Sequence, residues 1–144
     1  QRAVLGANEV ARETAVELQH IKKAIMETPE ADPALMEEAR ALELRLADIQ
    51  TQLTGDRTVS RRSEPTVPSI VRRVNRSVEA HWSSTSAATT THQRNYEIAA
   101  TAFAGVLADL RQLVEVDLRH LEEALEAAGA PWTPGRGLPA WEPE

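Results

Sequence analysis

The strongest constraint on what this chain can fold into is a set of apolar seams that repeat at alternating spacings of three and four. In the first segment the seam is Val4, Ala7, Ala11, Thr14, Leu18, Ile21 and Ile25. This is the period of one helix face buried against other helices, and it predicts a helix over 2–27. Thr28-Pro29 ends that helix, because the residue before a proline is pushed out of the α region and proline donates no helical hydrogen bond. Asp32-Pro33 starts the next one, with Asp32 placed to accept from free amides and Pro33 already holding a helical φ. Leu35, Ala39, Leu42, Leu46, Ile49 and Leu53 continue the seam over 33–54, and Gly55 offers a left-handed position to close it. With so short a turn between them, the first two helices form an antiparallel hairpin.

The stretch from Gly55 to Pro65 has no sustained period and reads as a connection. Thr66 or Ser69 can cap a third helix over 67–82 with Val67, Ile70, Val71, Val74 and Val78 as its stripe. The β-branched bias there also suits a strand, but the spacing and the intervening Arg72, Arg73 and Arg76 favour a helix. Residues 83–91 are rich in Ser and Thr, whose side chains compete for backbone hydrogen bonds, so this is a loop and cap region. The last seam runs Tyr96, Ala99, Phe103, Val106, Leu110 and Leu113. It then shifts through Val114, Leu118, Leu121 and Leu125 before Gly129-Ala130-Pro131 stops it, predicting a long helix over 90–128. At 1.5 Å per residue that helix spans about 55 Å, against about 35 Å for the first two. The excess requires a kink near Gly105, cover from the connection and the tail, or a second chain. The expected fold is therefore an all-α antiparallel bundle of about four helices, with a Pro/Trp-rich tail over 129–144.

Composition narrows the chemistry. The chain has no Cys, which removes disulfides, thiolate metal sites and cysteine nucleophiles. Its aromatics are three Trp, one Tyr and one Phe, too few for a base-stacking surface. The weakly polar stretch 98–108 is far shorter than the roughly 20 residues that cross a bilayer, so no membrane span is expected. His20, His81, His92 and His120 show no metal-binding spacing. There is no nucleophile elbow and no phosphate loop, and Glu37-Glu38 and Glu122-Glu123 are sequence neighbours that point in different directions and solvate their helices. No catalytic residue and no cofactor is expected. The one corner that suggests a small ligand or a metal is His81, Trp82, His92 and Tyr96, at the junction of the third and fourth helices. Trp82, Trp132 and Trp141 are expected to cap the bundle, Trp132 and Trp141 by folding back onto it, unless these two serve in a docking peptide.

Charge is unevenly placed. Residues 1–56 hold 6 basic and 11 acidic side chains, residues 57–96 hold 7 and 2, and residues 97–144 hold 3 and 9. The basic middle, Arg57, Arg61, Arg62, Arg72, Arg73, Arg76 and Arg94, could contact phosphate, but the flanking acids cancel it, so no nucleic-acid binding is expected. Arg72, Arg73 or Arg76 is instead expected to pair with an acid of the last helix, Asp117 being the natural candidate.

Three stretches carry a family resemblance: 81–87 (HWSSTSA), 91–97 (THQRNYE) and 130–136 (APWTPGR). They are similar to the C-terminal helical region of large bacterial BNR (Asp-box) repeat glycosyl hydrolase-like proteins, which are akin to sortilin-type β-propellers. No catalytic residue of that family maps onto this chain. The resemblance implies a non-catalytic accessory, assembly or docking domain of an exported, periplasmic or extracellular protein. Its partners would be other domains of the parent chain, or a second copy through the last helix. The start at Gln1, without an initiator Met or an apolar leader, fits a segment of something longer.

Overall fold

The computed structural model describes residues 1–56, 59, 66–83 and 89–138. Among them every regular element is a helix: α1 (Arg2–Glu27), α2 (Pro33–Thr54), α3 (Ile70–Ser83), α4 (Thr90–Gln112), a π-helical turn (Leu113–Asp117) and α5 (Leu118–Ala127). The last three form one unbroken rod. This is the expected all-α bundle with a long last helix.

The first hairpin follows its seams residue for residue. All seven predicted positions of α1 and all six of α2 are buried. Thr28 is extended, at φ −112° and ψ 100°, as the following Pro29 demands. Asp32 Oδ1 accepts from the Ala34 amide at 2.9 Å and Pro33 opens α2. Polar links hold the helices side by side, among them Gln19 Nε2 donating to Glu43 Oε1 at 2.8 Å. Lys22 Nζ reaches Glu43 Oε1 at 2.7 Å, and Gln50 Nε2 donates to the Ala11 carbonyl at 2.9 Å. Gly55 closes α2 at φ 89° and ψ 162°, an extended left-handed geometry rather than the expected αL cap, and one that only glycine adopts at low energy.

The third helix begins later than predicted. Pro68 excludes Val67 from helical backbone, so Val67 lies outside the helix at 82% exposed rather than in the seam. Ser69 is the cap: its Oγ accepts from the Arg72 amide at 3.3 Å and its carbonyl from the Arg73 amide at 2.9 Å. Ile70 enters the core, while Val71, Val74 and Val78 are half-buried.

The seam shift in the long rod has a structural cause. Leu113 and Leu118 are five residues apart, which would put them on different faces of a regular α-helix. The π turn absorbs the extra residue by an i→i−5 hydrogen bond from the Leu118 amide to the Leu113 carbonyl. Leu110, Leu113, Leu118, Leu121 and Leu125 are thereby all buried, in one core with the α1 and α2 seams. The irregularity is thus at Leu113–Asp117, not near Gly105. The excess length is covered by α3, which packs along α4, and by the tail, which packs on α5. Only Ala99 is buried in α4 before Val106. Tyr96, expected in the seam, is 62% exposed, because this half of the rod has a neighbour on one side rather than two.

Candidate functional site

Trp82, His92 and Tyr96 all sit on the α3–α4 hairpin: Trp82 in the last turn of α3, His92 in the first turn of α4, and Tyr96 one turn on. The Thr89 hydroxyl accepts from the His92 amide at 3.4 Å and caps α4. Trp82 is 88% exposed and so does not cap the bundle, while His92 is half-buried. Among the described residues no hydrogen bond or ring contact joins Trp82, His92 and Tyr96. The side chain of His81 and the whole of Trp141 lie outside the described residues. No group of three or more His, Asp or Glu side chains gathers as metal ligands among the described residues, and no helix there is long and apolar enough to cross a membrane.

The anticipated ion pair forms with a different arginine. Asp117 accepts from Arg45 Nη1 of α2 at 2.5 Å and from Gln112 Nε2 at 3.1 Å. The hydrogen bond from Arg45 holds its carboxyl below the usual aspartate range. The arginines of α3 are too far along the rod. Arg73 reaches the Pro68 carbonyl at 3.2 Å and Asn95 Oδ1 at 2.7 Å, and 22 residues of helix separate Asn95 from Asp117, about 33 Å. Arg72 and Arg76 are exposed and enter no ion pair among the described residues. Arg57, Arg61 and Arg62 lie outside those residues.

A second cluster was not visible in the sequence. The long rod ends in a closed cap at Gly129 (φ 71°): the Ala130 amide donates to the Leu125 carbonyl at 3.0 Å and the Gly129 amide to the Glu126 carbonyl at 2.9 Å. The chain then folds back over α5 and α1, burying Thr133. Trp132 is only partly covered, at 44% exposed, and is not a core residue; the Arg136 guanidinium lies over its ring, 4.3 Å from the centroid. Arg136 is the better-buried group, with its side chain 3% exposed. Its Nη2 donates to Glu126 Oε2 at 2.9 Å and to the Glu122 carbonyl at 3.4 Å.

Beneath this tail, Glu17 of α1 and Glu122 of α5 bring their carboxyls within hydrogen-bonding reach. Glu122, read as solvating its helix, therefore lies with Glu17 at a helix junction. Gly135, at φ 100°, lies directly on Glu17, where a β-carbon would overlap the carboxylate. Burial, then the charge and hydrogen bond of Glu122, then Glu13, push the Glu17 carboxyl up to about 7. Glu122 Oε1, Thr133 Oγ1 and Arg136 Nη1 are buried here without a hydrogen-bond partner among the described residues.

Comparison of the chain with known protein families, characterised proteins and solved structures finds no match.

Proposed function

We propose that this chain is a non-catalytic accessory module that docks other domains of a larger exported, glycosyl hydrolase-like protein through the end of its α3–α4 hairpin. The observation that supports it is the exposure of Trp82 at 88%, with Tyr96 at 62% and Ile98 at 43% on the same hairpin. Large apolar side chains left in water on one segment mark an interaction surface, and tryptophan and tyrosine are the residues that anchor such contacts.

The test places a photo-reactive phenylalanine analogue at position 82 in the full-length protein that carries this segment, with cross-links mapped by mass spectrometry. Cross-links to other segments of the same polypeptide are expected. Cross-links to a second copy alone would replace intramolecular docking with homodimer assembly, and no cross-link at all would overturn the reading. So would hydrolysis of aryl glycosides by the isolated chain, or saturable heat on its titration with zinc or simple glycans.

A further inference from the structure

A hollow of about 510 Å³ opens where the end of α2 meets the start of α3. Thr54 lines it from α2, and Ser69, Arg72, Asn75, Arg76 and Glu79 line it from the α3 side. Arg72 and Arg76 are four residues apart, so their guanidiniums leave the same face of the helix and repel one another. Arg73, between them, is turned away to the Pro68 carbonyl and Asn95 Oδ1. The hydrogen bonds already made around the hollow leave it rich in donors. Ser69 Oγ accepts from the Arg72 amide, so its O–H is left to donate. Asn75 Oδ1 accepts from Gln1 Nε2 at 3.2 Å, so its NH2 group is left to donate. The Thr54 hydroxyl is already given to the Gln50 carbonyl at 2.9 Å. Against the two guanidiniums stands one acid, Glu79, among the described lining residues.

We propose that this hollow binds a tetrahedral oxyanion, a phosphate or sulfate group, between Arg72 and Arg76. A carboxylate has two oxygens and is satisfied by a single guanidinium fork, whereas phosphate and sulfate carry enough acceptor oxygens for two forks and for the Ser69 and Asn75 donors as well. An anion held there also relieves the repulsion between the two arginines, which find no acid partner among the described residues. Charge summed over the chain does not decide this binding. At physiological salt, exposed charges more than about 8 Å away are largely screened, so the side chains that line the hollow set its field. The site is separate from the docking surface at the end of the α3–α4 hairpin. Arg72 precedes Trp82 by ten residues, about 15 Å along α3, and an anion at the hollow leaves that ring uncovered.

The experiment titrates the full chain, labelled with nitrogen-15, with sodium sulfate and with sodium phosphate at pH 7, holding ionic strength constant with sodium chloride. Saturable shifts are expected at the Ser69 amide, the Asn75 side-chain amide and the Nε–H groups of Arg72 and Arg76. Arg72→Gln and Arg76→Gln should each weaken binding about tenfold, the loss of hydrogen bonds to a charged group, with helical circular dichroism unchanged. Arg72→Lys, which keeps the charge but not the fork, should also weaken it. Phosphoserine as a further probe separates the two sources of such a group. Tighter binding than inorganic phosphate assigns the site to a phosphate carried on a larger molecule, and equal or weaker binding assigns it to the free ion. Shifts that chloride alone reproduces, acetate bound as tightly as sulfate, or unchanged affinity in both glutamine variants would overturn the site.

Discussion

Arg45 of α2 and Asp117 of the π turn meet at 2.5 Å, 72 residues apart in the chain. The contact joins the one irregular turn of the long rod to the first hairpin, and Gln112 supports it from one turn back. Asp117→Asn and Arg45→Gln should each destabilise the chain by about 0.5–1 kcal/mol, as partly exposed pairs do, with a coupling of similar size in a double-mutant cycle by urea denaturation. The folded pKa of Asp117 is depressed, so this contribution is present above the unfolded value of 3.8 and is lost as pH falls through the folded one.

Glu17 has the opposite sign. Its folded pKa of about 7 exceeds the ordinary 4.5, so between those values the folded chain holds a proton that the unfolded chain releases. Stability should therefore fall as pH rises from 4.5 to 7 and level off above. A fully buried group with this shift would account for about 3 kcal/mol, and partial exposure reduces that to about 1–2 kcal/mol. Glu17→Gln should flatten the profile and unfold at higher denaturant than the parent chain at pH 8.

Leu121 is fully buried, beyond the π turn and among the α1 and α2 seams. Leu121→Ala should destabilise by about 2–5 kcal/mol, through lost burial and the cavity left behind. Leu44, on the outer face of α2 and 73% exposed, should tolerate the same truncation within about 0.5 kcal/mol. Melting curves of the two variants make the comparison.

Gly55 holds φ 89° and ψ 162° at the end of α2, with Ser69 Cβ 3.7 Å from where a side chain would start. Space is not the obstacle there, but the backbone is. Gly55→Ala should destabilise by about 1–3 kcal/mol and lower the melting temperature, while Gly105→Ala, in a helix with open space around it, should be neutral or stabilising.

The helices themselves were legible in the sequence because their causes are local. The three–four seams, the Thr28-Pro29 stop, the Asp32-Pro33 start and the Gly129 cap each act within one or two turns, and the buried residues of α1 and α2 follow from them position by position. The five-residue step from Leu113 to Leu118 was equally visible as a shift, but only packing against two helices forced it into a π turn instead of a bend. Tertiary structure alone decided the rest. Arg45 became the partner of Asp117 because α2, not α3, lies against that turn. Tyr96 and Trp82 stayed in water because the tip of the rod has too few neighbours to cover them. Glu17 came to lie half-buried near Glu122, 105 positions away, because α1 and α5 were set side by side and a glycine was laid over Glu17. A periodic pattern states that a residue faces inward or outward; which residue it meets there depends on the angle and register of helices that the pattern does not encode.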